Sequence, residues 1–177
     1  MLTRTTIYKS EALIPARSVM SAIGEVVYRV IGPEHAGEAL TVQRAAFVAE
    51  ARVYGTAEIP PLVETLEQLR HELATTVTMG AWLGSRLVGA ARLTLDGPIG
   101  WISRVAVAPD QQGQGIGSGL LAALEGVAPP EVRRFQLAAG HKSSYNLGMY
   151  ERRGYREFSR HVDSAGVELV VMGKDRD

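Results

Sequence analysis

"APDQQGQGIGSGLL" spans Ala108 to Leu121 and places glycine at every second position from Gly113 to Gly119. The apolar run Val105-Ala106-Val107 precedes it, and Leu120-Leu121-Ala122-Ala123-Leu124 follows it. That pattern predicts a strand, a loop of bare backbone and a helix of about Gly115–Gly126. Glycine inside a regular element costs roughly 0.5–1 kcal/mol relative to alanine, so four so close together need a reason. A tight strand-to-helix turn accounts for one or two of them. An anion site is the other reading. The first turn of a helix leaves N–H groups unpaired, its dipole adds partial positive charge, and glycines let an anion reach both.

Spacing sorts the known anion loops. A P-loop needs G-x-x-x-x-G-K-[ST], and no lysine follows these glycines. The dinucleotide pattern G-x-G-x-x-G fails as well. Counted from Gly113 or Gly115, its third glycine falls on Ser118 or Leu120.

Outward from the loop, the chain alternates strands and helices. "EVVYRVIG" (Glu25–Gly32) is β-branched and bounded by glycine, which predicts a strand. Residues 33–55 open with proline and glutamate and end in glycine, the punctuation of a helix. Ala39, Val42, Ala46, Ala49 and Val53 give it an apolar stripe. "PPLVETLEQLRHELA" predicts one further helix opened by Pro60-Pro61. Three strands joined by short turns lead into the glycine loop. "VRRFQLAAG" predicts a strand, "SSYNLGMYERRG" a helix closed by Gly154, and a last hairpin turns at Ser164-Ala165-Gly166. The order is β-α-α-β-β-β-α-β-α-β-β. Its class is α+β, with a mixed, mostly antiparallel sheet flanked by helices. Residues 1–24 stand apart as an N-terminal arm before a domain of 25–177, and Met20 is an alternative start.

Composition bounds the function. The 177 residues suit one domain, and 46% are hydrophobic. Lys+Arg and Asp+Glu are both 19, which argues against a nucleic-acid partner needing surplus positive charge. The absence of cysteine excludes disulfides, thiolate metal sites and a cysteine nucleophile. No apolar run approaches the about 18 residues of a membrane span, so no membrane partner is expected and a cytoplasmic location is the default. His71 and His141 lack companions at metal-ligand spacing, and no metal is expected.

What fits the loop is [QR]-x-x-G-x-[GA], at Gln112-Gly113-Gln114-Gly115-Ile116-Gly117 after "RVAVAPD". This resembles motif A of the GNAT-type N-acetyltransferase superfamily, which uses acetyl-coenzyme A. "MYERRGY" (Met149–Tyr155) resembles that family's downstream motif "[LF]YxxxG[FY]". The element order from Glu25 to Lys174 is similar to the family's fold.

The resemblance implies a set of site residues. The main chain of Val105, Ala106 and Val107 pairs with the pantetheine arm. The N–H groups of Gln112, Gly113, Gln114, Gly115, Ile116, Gly117 and Ser118 hold the pyrophosphate. Tyr150 faces the coenzyme's sulfur. A phenol with a pKa near 10 suits protonation of a thiolate whose parent thiol titrates at about 8.5. A core tyrosine stacked under Tyr155 is the bland alternative.

Two departures from the family pattern stand out. Many members carry asparagine seven residues before the tyrosine, and here that residue is Ser143. Asn146, one helical turn before Tyr150, is a second candidate coenzyme contact. Some members place a glutamate on the motif A strand, where this chain has Trp101. Glu50, Glu64 and Glu67 of the early helices are then the candidate bases and acceptor contacts, each also readable as a solvated helix face. Strand alternation sets Arg104 opposite in direction to Ser103 and Val105. It either binds an acidic acceptor or pairs with a structural acid.

The implied function is direct acetyl transfer from acetyl-CoA to a small-molecule or peptide amine. A non-catalytic acyl-CoA sensor and an interaction domain with an empty cleft are the alternatives. "TTIYKS" (Thr5–Ser10) could add to a sheet edge, which makes a homodimer through the arm a candidate assembly.

Overall fold

The computed structural model describes residues 18–21 and 24–176. Among the described residues, eight strands form one sheet. They are β1 (Ser18–Ser21), β2 (Gly24–Ile31), β3 (Val77–Leu83), β4 (Arg86–Asp96), β5 (Ile99–Val107), β6 (Arg134–Gly140), β7 (Arg156–Val162) and β8 (Glu168–Asp175). Their spatial order is β1-β2-β3-β4-β5-β6-β8-β7. Every pairing is antiparallel except β5 with β6. The class is the α+β fold expected. The end of the arm contributes β1, a strand the sequence pattern did not predict. The "TTIYKS" segment lies outside the described residues.

Among the described residues, five α-helices flank the sheet: α1 (Ala36–Tyr54), α2 (Pro60–Val63), α3 (Leu66–Thr75), α4 (Ile116–Val127) and α5 (Ser144–Arg152). The two faces of the sheet sort them, with a register shift of β3 on β4 between Leu87 and Gly89. Val88 of β4 joins Leu120, Leu121 and Leu124 of α4 in one core. Its neighbour Leu87, with Ala90, joins Ala39 and Leu40 of α1 and Leu69 and Leu73 of α3 in another. Thus α4 covers one face, and α1 with α3 covers the other. Each fully buried leucine contributes roughly 1.5–3 kcal/mol, and Leu120, Leu121 and Leu124 are all fully buried.

The single helix expected from Pro60 is broken. Glu64 is extended (φ −56°, ψ 128°) and ends α2. Thr65 then starts α3 with a reciprocal cap. Its hydroxyl accepts the Gln68 N–H at 3.2 Å, and its own N–H donates to Gln68 Oε1 at 2.8 Å. The break turns Glu64 inward. The stripe predicted on α1 also divides. Ala39 and Val42 are buried, whereas Ala46, Ala49 and Val53 line a cavity.

Two features of β5 create space for a site. Its parallel pairing with β6 covers only Ile99–Arg134, Gly100–Phe135 and Trp101–Gln136. Beyond Trp101, β5 stays with β4 while β6 stays with β8, and the sheet opens. The register of β5 on β4 also slips between Ser103 and Ala106. Arg104 there has φ +54°, unlike every other non-glycine residue described. Simple alternation therefore fails at Arg104, because a bulge re-aims it.

Candidate active site

The glycine loop joins β5 to α4. Its base is fixed by the Ala108 N–H on Val88 O at 2.8 Å and the Gln111 N–H on Ala108 O at 2.8 Å. Gln112 Nε2 donates back to Val107 O at 3.1 Å. Asp110 forks onto Arg86 at 2.7 and 2.8 Å, and that guanidinium holds its carboxyl well below the usual range.

The glycines divide by role. Gly113 and Gly115 have φ +78° and +81°, a region costly for side chains. A Cβ built on either meets nothing within 4 Å, so the space over them is open. Gly119 serves packing instead, because a Cβ there would collide with the phenol of Tyr28 on β2. Gly117 lies under Met149, whose Sδ would be 3.3 Å from its Cβ. The Gly119 N–H bonds Gly115 O at 2.9 Å. By helix geometry the amides of Ile116, Gly117 and Ser118 precede the first such bond and face outward.

A cavity of about 330 Å³ lies over this loop. Of the residues expected to contact the coenzyme, Val105, Val107, Gln112, Gly113, Gly115 and Ile116 line it, as do Gly117, Ser143 and Asn146. Three others do not. Ala106 is buried and pairs with Ala90. Gln114 Nε2 reaches Gln111 Oε1 at 3.5 Å. The Ser118 hydroxyl accepts from Arg153 at 3.2 Å. Ser143 occupies the N-cap position of α5 without a side-chain cap bond. Lys142 and Met149 also line this cavity. Neither was singled out from sequence, since their approach depends on how α5 sits against α4.

A second cavity, about 190 Å³, occupies the gap between β5 and β6. Trp101, Ser103, Arg104 and Tyr150 line it, and so do His161 and Asp163 from the last hairpin. Phe47, Glu50, Val105 and Asn146 line both cavities and mark where they meet. His161 and Asp163 were not singled out from sequence. They reach the cavity only through the β7–β8 fold-back.

Tyr150 is buried, and its ring meets the edge of Tyr155 with centroids 6.2 Å apart. It both packs in the core and faces the second cavity. Burial, then the charge of Glu50, push its pKa far above the ordinary phenol value, so it keeps its proton. Glu50 is raised in turn, by burial and then by Asp163.

The other acids expected near the acceptor sit elsewhere. Glu67 is exposed in the first turn of α3 and lines neither cavity. Glu64 is buried. It accepts from Gln43 at 2.8 Å and from Arg92 at 3.2 and 3.3 Å, with Arg104 Nε at 3.7 Å. Glu64 is a structural acid, and Arg104 pairs with it.

Residues 34–176 match the family model for an acetyltransferase (GNAT) domain, and the chain belongs to that family. Solved structures show the same fold. A PaiA N-acetyltransferase from Thermoplasma acidophilum, in complex with coenzyme A, superposes with TM-score 0.69 at 17% identity, covering 85% of this chain and 99% of that one. A GCN5-related N-acetyltransferase from Rhodopseudomonas palustris gives 0.70 at 21% identity, covering 90% and 98%. The ribosomal-protein-S18-alanine N-acetyltransferase from Escherichia coli gives 0.68 at 14% identity, covering 85% and 93%. No curated protein sequence matches the chain. Among the described residues no helix is long and apolar enough to cross a membrane, and no three acids or histidines converge as metal ligands.

Proposed function

We propose that this protein transfers an acetyl group from acetyl-CoA directly to an amine. The observation that carries the reading is the meeting of the two cavities at Glu50, Val105 and Asn146, with Tyr150 beside them. The residues present fit the acyl donor. Open space over Gly113 and Gly115, together with the amides that start α4, offers an anion cradle for its pyrophosphate. The edge of β5 beyond Trp101, released from β6, leaves main-chain groups for amide pairing with its arm. The bound donor supplies an activated thioester carbonyl.

The chain's own groups do the rest. Glu50 makes no hydrogen bond or ion pair with a described residue, and its raised pKa makes it a better proton acceptor than an ordinary carboxylate. It is the proposed base for the incoming ammonium. Tyr150 retains its proton and donates it to the departing thiolate. Without cysteine, no obvious acyl carrier stands on the enzyme, which supports one direct step. Residues 25–177 are proposed to suffice for donor binding, so removing residues 1–24 should leave acetyl-CoA affinity intact. Light scattering of both forms tests the arm as a dimer element.

The test is amine-dependent release of coenzyme A. Donor binding without thiol release for any amine would favour a non-catalytic sensor instead.

A further inference from the structure

We propose that the acceptor is a small α-amino acid with an apolar side chain, its ammonium facing Glu50 and its carboxylate held by Arg104. The proposal rests on the acetyltransferase reading above and names the acceptor class for the same site.

Besides Tyr150, four ionisable side chains line the acceptor cavity: Glu50, Arg104, His161 and Asp163. Their commitments differ. Asp163 Oδ1 accepts the N–H groups of Ala165 and Val167, both at 2.9 Å, and so belongs to the turn between β7 and β8. His161 stands exposed on the edge strand β7. Glu50 has no cationic partner among the described residues. Among the described residues Arg104 feels Glu72 only at longer range, its Nε makes no hydrogen bond, and it forms one ion pair, with Glu64 at 3.7 Å. That acid is already engaged more closely by Gln43 and Arg92. The Arg104 fork of N–H donors is therefore under-used at the wall of a cavity, and a carboxylate is the group that matches such a fork in shape and charge.

One unpaired acid and one under-paired guanidinium in one cavity match a ligand with one cation and one anion. The ends are also ordered. Glu50 lines both cavities, whereas Arg104 lines only the acceptor side. The amine thus points towards the donor and Tyr150, and the carboxylate points away. The same cavity is lined by the apolar side chains of Phe47, Trp101, Ile102 and Leu137. The volume, about 190 Å³, is well below that of a drug-sized pocket, which favours a small molecule over a protein segment.

The experiment follows coenzyme A release from acetyl-CoA by the unmodified protein with L-phenylalanine, L-leucine, L-phenylalaninamide and phenethylamine. The amino acids should exceed the amide and the decarboxylated amine by about 10–100-fold in kcat/KM, the range of a charge-assisted hydrogen bond to an otherwise unpaired group. Amine basicity does not produce that preference for acid over amide, because the amide's amine is the less basic and more often unprotonated. Arg104→Gln should narrow the preference mainly by raising KM for the amino acids. Equal or better rates with the amide or phenethylamine would overturn the acceptor class and leave the acetyltransferase reading standing. So would release with other amines but with no apolar α-amino acid. No release with any amine, despite acetyl-CoA binding, would overturn both.

Discussion

Arg104 Nε stands 3.7 Å from Glu64 Oε2, joining the left-handed residue of the β5 bulge to the break between α2 and α3. Glu64 also holds Arg92, which is buried and reaches Glu72 at 3.5 Å. One carboxylate thus ties the break between α2 and α3 to β4, through Arg92, and to β5, one of the strands that border the cleft, through Arg104. The position of Arg104 on the wall of the second cavity depends on an acid that lines neither cavity.

Glu64→Ala leaves the Arg92 charge buried without its main partner, which costs roughly 3–5 kcal/mol. Burial alone would raise the Glu64 pKa, but hydrogen bonds from Gln43 and Arg92 and the charges of Arg92 and Arg104 bring it below the ordinary value. A depressed folded pKa means the stabilisation is present above the unfolded pKa and is lost as pH falls through the folded one. Urea denaturation from neutral to acid pH should therefore show wild-type stability converging towards that of the variant. A constant gap would contradict this.

Glu50 has the opposite sign. Its carboxyl lies above the ordinary value through burial and Asp163, so the basic form appears only as pH rises through that raised value. kcat/KM should climb there, and Glu50→Gln should lose that limb while keeping the one set by the amine itself. The loss in kcat should fall in the about 10²–10⁴-fold range of acid–base catalysis. Stability tied to protonated Glu50 is present below the unfolded pKa and lost as pH rises through the folded one. Glu50→Gln should consequently be no less stable than wild type at neutral pH. A destabilised variant with an unchanged pH profile would make Glu50 structural.

Tyr150→Phe keeps the ring against Tyr155 and removes the proton donor. kcat should fall by about 10²–10⁴-fold with acetyl-CoA affinity nearly intact, as read by steady-state kinetics and calorimetric titration. A rate within about twofold of wild type would assign thiolate protonation to water.

The loop glycines should separate by readout. Gly115→Asp puts a side chain and a negative charge at φ +81°, where an anion is to sit, and should abolish the acetyl-CoA-dependent rise in Tm. Gly119→Ala drives a methyl into Tyr28 and should cost about 1–3 kcal/mol by overpacking. Acetyl-CoA should still raise the Tm of the protein that remains folded. Thermal shift with and without acetyl-CoA distinguishes the two effects.

The loop and the element order were legible because both are local: glycine punctuation and apolar period mark them directly. The break at Glu64 was written in Thr65-Leu66-Glu67-Gln68, a capping-box pattern lying inside what the leucine spacing presents as one helix. Arg104 had no such mark. Its conformation follows from a register slip against β4, which depends on pairing rather than on its neighbours in sequence. The convergence of Glu50, Arg104 and Asp163 is likewise a product of three distant elements. Family resemblance drew attention to the strand position held by Trp101. The free acid of the cleft lies on α1 instead.

Acetyl transfer to an amine is tested most directly by mass spectrometry of the amine after incubation with acetyl-CoA and the unmodified protein. An N-acetylated product is expected in amounts equal to the coenzyme A released, from an L-amino acid among the amines offered. Coenzyme A release no faster than without protein, and no acetylated product from any amine, would contradict it.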